Sequence, residues 1–284
     1  MDISVIAGIA ILVLYGLADF FTAIALKHEK TIKILVFGGV ISVLVTLPVF
    51  YYFLPVIKFN LGILAVSILA GIIGCLSLFS FFEGIKVDKV SVVAPLANVW
   101  PIITAPLAII FLSENLSIFE MFGAALVLCG IVSLSLKTKK LRNIQLRRLT
   151  RGLKYGFGAM IGWSLLYFIV GALAKETTWI FAPFVVIVVQ TVIFIAYFVY
   201  KKEKVHVEEQ AVRPLILQAL FNTAGFLLFG FGSVLGNIAI LSPLAAASPF
   251  LVVILAYVFL KERLSTHEKL GIALLILGTV LLSF

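Results

Sequence analysis

The chain has 284 residues, of which 63% are hydrophobic and 12% charged, where a soluble protein carries roughly 25% charged residues. So little polar surface excludes a water-soluble body. The net charge of +9 would suit a nucleic-acid binder, but the basic residues lie between apolar segments, where they orient a membrane protein; no nucleic-acid partner is expected.

About 20 mostly apolar residues make a helix that crosses the hydrocarbon core. In chain order that rule predicts spans at 3–25, 31–54, 61–85, 90–112, 118–136, 153–174, 179–200, 213–235, 239–260 and 266–283. The opening MDISVIAGIAILVLYG lacks a basic n-region and an A-x-A site, so it reads as the first span and not as a cleaved signal. Cys75 and Cys129 both lie inside apolar runs, which argues against a disulfide framework.

Most connections are short, and two are longer: 137–152, and 201–212 with the sequence KKEKVHVEEQAV. The connections after spans 1, 3, 5, 7 and 9 hold 20 of the 22 basic residues, leaving only Lys58 and Lys175 on the opposite side. The positive-inside rule then puts the odd-numbered connections, including 137–152, in the cytoplasm and both termini outside. The expected location is the cell (inner) membrane, with the lipid bilayer as constant partner.

The chain also repeats itself. VVAPLANVWPIITAPLAIIFLSENLSIFEMFGAALVLCGIVSLSL aligns without a gap on ILSPLAAASPFLVVILAYVFLKERLSTHEKLGIALLILGTVLLSF at an offset of 148 residues. Pro95 and Pro101 fall on Pro243 and Pro249, Glu114 and Glu120 on Glu262 and Glu268, Gly123 and Gly130 on Gly271 and Gly278. The same offset places Tyr15 on Trp163, Asp19 on Tyr167 and Lys27 on Lys175. The organisation is a first half at 1–136, a basic connection at 137–152 and a second half at 153–284. Five spans per copy is odd, so the second copy enters the membrane upside down. The expected fold class is an all-α membrane protein of ten transmembrane helices in two inverted five-helix repeats, a recurrent transporter plan with a site where the copies meet.

On these residues the chain resembles the tandem EamA proteins of the drug/metabolite transporter superfamily. The resemblance rests on a proline-containing helix, the turn Glu114-Asn115-Leu116-Ser117 or Glu262-Arg263-Leu264-Ser265, and the Gly-rich helix that follows each. It departs at Asn115, where a basic residue is common. The resemblance implies export or exchange of a small metabolite by alternating access without fixing the substrate; the expectation is secondary or facilitative transport of an amino acid or related amphiphilic solute, with export as the direction. It also implies that spans 1, 4, 6, 8 and 9 surround the central cavity. Proton coupling and homo-oligomer formation stay open.

Asp19 stands out among the candidates. A carboxylate at such depth costs about 2 kcal/mol or more and normally faces a cavity or a partner. It could bind a cationic group or a proton, or pair with Lys86 or Lys89 on the same side. Around it, Tyr15, Asn98, Trp100, Trp163, Tyr167, Asn222 and Ser248 lie in the cavity-forming spans, and aromatic faces with a few polar groups suit a partly apolar metabolite. A packing role remains the alternative for each one alone. Proline in a span frees a backbone carbonyl, which lipid does not tolerate unless protein or a water-filled cavity receives it. Pro95, Pro101, Pro243 and Pro249, with Pro106, therefore point to kinks or hinges. Glu83 reads as an interfacial partner of Lys86. Glu114 and Glu262 read as braces for the helix that follows each, and spans 5 and 10 as peripheral buttresses or contacts to another subunit.

An enzyme is disfavoured. His28, His206 and His267 lie in connections or at helix ends without metal-ligand spacing, and no H-E-x-x-H, P-loop or nucleophile elbow is present. Neither metal nor cofactor is expected. A channel or receptor-like membrane sensor is the alternative to a carrier, although no filter sequence or repeated polar ring is visible.

Overall fold

The computed structural model describes residues 3–57, 60–87, 90–135, 146–259 and 264–284. The expectations on Lys58, Lys89, Glu262 and most of 137–152 lie outside these residues, as does the side chain of Lys86.

Every regular element among the described residues is helical. In chain order the α-helices are α1 (Ile3–Ala25), α2 (Thr31–Phe53), α3 (Leu61–Val87), α4 (Val90–Asn98), α5 (Pro101–Leu112), α6 (Ile118–Ser135), α7 (Leu146–Glu176), α8 (Phe181–Tyr200), α9 (Glu209–Leu235), α10 (Ile238–Ala245), α11 (Pro249–Phe259) and α12 (Thr266–Leu281), with a short 3-10 helix at Leu54–Val56 after α2. Among the described residues, eight segments are long and apolar enough to cross a membrane, counting Val93–Leu112 and Ile238–Leu255 as one each. The shorter α6 and α12 cover the expected fifth and tenth spans. Each opens on a capping box. Ser117 Oγ accepts from Glu120 N (3.2 Å) while Glu120 Oε2 accepts from Ser117 N (2.5 Å). Ser265 and Glu268 do the same at 3.3 and 2.7 Å. Two orphan donors are thereby satisfied at each helix start.

The fourth and ninth spans are each broken in two. Pro101 and Pro249 occupy the first position of α5 and α11, where a missing N–H is harmless. Pro95, Pro106 and Pro243 lie inside their helices. At the first break, Trp100 O accepts from Thr104 N at 3.3 Å and also from Ser164 Oγ at 2.7 Å, which ties the break to α7.

Contacts between the halves come in pairs that exchange under the 148-residue offset. A Cβ on Gly8 would stand 2.6 Å from Leu244 Cβ, and one on Gly156 would stand 3.2 Å from Leu96 Cβ. Between α6 and α12, Gly123 meets Gly278 and Gly130 meets Gly271, backbone against backbone, so that added Cβ atoms would lie 2.7–3.0 Å from the facing carbonyl oxygens. The buttressing helices thus bind one another within the chain. The most extensive packing joins α1 to α9, α3 to α7 and α6 to α12, always across the halves.

Candidate functional site

The inward face of α1 carries Gly8, Leu12 and Tyr15, all buried, one or two turns apart. Asp19 continues that stripe, opposite the outward Ile6 and Val13, which are 54% and 40% exposed. Asp19 is nevertheless exposed. The exposure marks a gap in the packing beside this face of α1. Its Oδ2 accepts a hydrogen bond from Ser248 Oγ at 2.8 Å, and Ser248 sits in the break between α10 and α11.

Above Asp19 lies an aromatic layer. Tyr167 Oη donates to Tyr15 Oη at 2.9 Å. The ring of Tyr167 stacks on Trp100, with centroids 4.3 Å apart and planes at 15°. Phe229 and Phe226 meet it edge-on at 4.8 and 5.9 Å. Edge-to-face and offset geometries of this kind are the favourable ones for ring quadrupoles. Beyond the layer the bundle is shut, since all eight residues of α10 are buried together with Ile11 and Phe229.

Below the layer, toward the odd-numbered connections, the interior opens. Asn222 shares the inner face of α9 with Phe226 and Phe229, yet it is exposed. Asn98 and Trp163 are half-buried, and Trp163 packs on Phe81 with centroids 5.3 Å apart. Asp19 thus contacts Ser248, and one turn away on α1 Tyr15 contacts Tyr167, which stacks on Trp100. Asn98, Asn222 and Trp163 lie on the open side of that group.

The shut end has a polar clasp. Glu114 Oε1 accepts from Lys175 Nζ (2.6 Å) and from Ile238 N (2.9 Å), and Oε2 accepts from Ala239 N (2.9 Å). The carboxylate thus meets free donors at the start of α10, where the helix dipole also favours negative charge. Glu114 was expected to brace the helix that follows it. It braces α10 of the other half instead, because Ser117 and Glu120 already satisfy the start of α6. Sequence reasoning did not join Glu114 to Lys175, and it missed Phe226 and Phe229. The signal for the clasp was the double match of Glu114 with Glu262 and Lys175 with Lys27.

No cluster of His, Cys, Asp and Glu suited to a metal ion occurs among the described residues.

Comparison with known proteins agrees with this architecture. The family described as the EamA-like transporter family matches at residues 2–136 and again at 150–284. An uncharacterized protein of Methanocaldococcus jannaschii is 27% identical over 136 residues, which are 48% of this chain and 98% of that protein. A solved crystal structure superposes with a TM-score of 0.83 over 98% of this chain and 95% of its own, at 16% identity, a likeness of fold alone.

Proposed function

The chain belongs to the EamA-like transporter family, and on that premise we propose that it is a carrier for a small amphiphilic metabolite bearing an ammonium group. The observation that carries this reading is Asp19: an exposed carboxylate on the inner face of α1, held by Ser248, with the Tyr15–Tyr167–Trp100 layer one turn away. The carboxylate suits the cation, ring faces attract it further, and the aromatic layer receives the apolar part. Asn98 and Asn222 offer amides to remaining polar groups.

The proposed architecture is ten spans in two inverted five-helix halves, supported by the contact pairs that exchange under the repeat offset. The proposed mechanism is alternating access. Its support is the asymmetry about the aromatic layer: buried α10 and the Glu114–Lys175 clasp on one side, Asp19 and Asn222 exposed on the other. The breaks before Pro101 and Pro249 are the proposed hinges, with Pro95 and Pro243 shaping the segments that move. With odd-numbered connections in the cytoplasm, the open side faces the cytoplasm and export is the proposed direction. The proposed location is the cell (inner) membrane.

The test is a thermal-shift screen of purified protein against amino acids, nucleobases and amphiphilic amines, followed by counterflow of the hits in proteoliposomes. Saturable counterflow of an amine, abolished in Asp19→Asn, supports the reading. Counterflow equal in Asp19→Asn and the unmodified protein removes Asp19, and near-diffusive currents would replace the carrier with a channel.

A further inference from the structure

A second site lies at the end of the bundle that carries the odd-numbered connections. The α1–α2 connection and the α8–α9 connection enclose an open cavity of about 690 Å³. Six lysines line it (Lys27, Lys30, Lys33, Lys201, Lys202 and Lys204), with His28 and three carboxylates, Glu29, Glu203 and Glu208. The carboxylates are largely spent on holding the walls together. Glu203 takes Lys30 at 2.8 Å and Glu29 takes Lys33 at 2.8 Å. Glu29 Oε1 also accepts from Glu208 N at 2.8 Å, and Lys33 Nζ donates to His206 O at 2.5 Å. Lys27, Lys201, Lys202 and Lys204 have no carboxylate partner among the described residues.

The backbone fixes this arrangement. Lys202 has φ of 49°, a left-handed conformation that ends a helix, and it turns the Lys201–Lys204 run toward the α1–α2 connection. The cavity is also amphipathic. Leu26 lines it and is 41% exposed. Val199 and Tyr200, at the adjoining end of α8, are 66% and 77% exposed, as expected of side chains at the bilayer interface.

We infer that this cavity binds the phosphate of an anionic phospholipid, with the headgroup among Lys27, Lys201, Lys202 and Lys204 and the acyl chains along Leu26, Val199 and Tyr200. Basic pockets at helix ends recognise such headgroups because the fixed ammonium groups meet phosphate close to the surface potential of the leaflet. The walls come from both halves of the chain, so a bound lipid would tie α1, which bears Asp19, to α8 and α9. The site stands apart from the substrate cavity and does not depend on the transport reading.

The experiment uses the full chain in detergent, measuring Tm with added phosphatidylglycerol, phosphatidylcholine or inorganic phosphate. The triple variant Lys201→Ala, Lys202→Ala, Lys204→Ala is compared with a control of equal charge loss, Lys154→Ala, Arg213→Ala, Lys269→Ala. Phosphatidylglycerol, but neither of the others, should raise Tm by roughly 5 °C, as for a ligand well above its Kd, in the unmodified and control proteins but not in the pocket triple. An equal shift in the pocket triple overturns the site. Loss of the shift in the control reduces it to bulk charge, and an equal shift with inorganic phosphate makes the ligand a soluble anion. Should the pocket triple fail to fold, native mass spectrometry of the unmodified protein decides. Preferential retention of phosphatidylglycerol over phosphatidylcholine supports the site, and equal retention overturns it.

Discussion

Ser248 donates to Asp19 Oδ2 across 2.8 Å, joining a helix of one half to the interrupted helix of the other. The bond occupies one carboxylate oxygen and orients the group. Asp19→Asn removes the charge and should cost a cationic substrate about 1.5–3 kcal/mol, the range for hydrogen bonds to charged groups. That is roughly a ten- to hundredfold rise in Kd. Binding measured by thermal shift or calorimetry checks it. Ser248→Ala should produce a smaller loss of the same sign, since the carboxylate remains.

Tyr167→Phe keeps the ring stack on Trp100 and deletes the hydrogen bond to Tyr15. An intramolecular bond of this kind contributes about 1 kcal/mol, so affinity should fall about fivefold if the pair shapes the roof of the cavity. Trp100→Ala should abolish saturable counterflow while the protein still reaches the membrane. Unchanged kinetics in both variants would make the layer a packing feature only.

Glu114→Gln leaves one acceptor oxygen for three donors and removes the charge that meets Lys175 and the α10 start. The shut end should then open more often. Cysteines placed beyond the aromatic layer should react faster with a membrane-impermeant thiol reagent, and Lys175→Met should act in the same direction. Labelling rates equal to those of the unmodified protein would show that the clasp holds structure without gating.

Gly278→Leu drives a side chain into Gly123 O and Val127 on α6. Overpacking of this kind costs about 1–3 kcal/mol or more, and a backbone neighbour has little room to yield. Thermal stability in detergent should drop clearly, whereas Gly62→Ala, which meets only the side-chain oxygen of Asn60 at the exposed start of α3, should change it little.

The α1–α2 and α8–α9 connections supply a pH test. Burial disfavours the charged form of Glu29, but the Lys33 ammonium and the backbone N–H groups of Glu208 and Lys30 outweigh it and hold the carboxyl below its ordinary value. A depressed pKa means stability that is present above the unfolded-state value and lost as pH falls through the folded one. Detergent Tm should therefore fall on acidification below the usual carboxylate range, and Glu29→Gln should lower Tm at neutral pH and flatten that fall. A profile identical in the variant would assign the acid sensitivity elsewhere.

Hydropathy located the helices because lipid demands unbroken apolar runs; α1 falls at the expected 3–25. It was blind to the breaks at Trp100 and Ser248, since apolar composition is the same on both sides of them. Asp19 was legible because a carboxylate in such a run is costly. Phe226 and Phe229 were not, being two among 25 phenylalanines that hydropathy treats alike. The Glu114–Lys175 contact bridges 61 residues, and no local pattern specifies a pairing that tertiary packing creates.

The glycine seam between α6 and α12 has a consequence for biogenesis. Its two sides are synthesised in different halves of the chain, and so are the partners α1 and α9. While the second half is still on the ribosome, the first half sits in the bilayer with its glycine stripe and Asp19 turned to lipid or to transient company. Burial of the α6 glycine face thus waits for α12, and truncation before α12 should leave a species marked for degradation instead of a half-active protein.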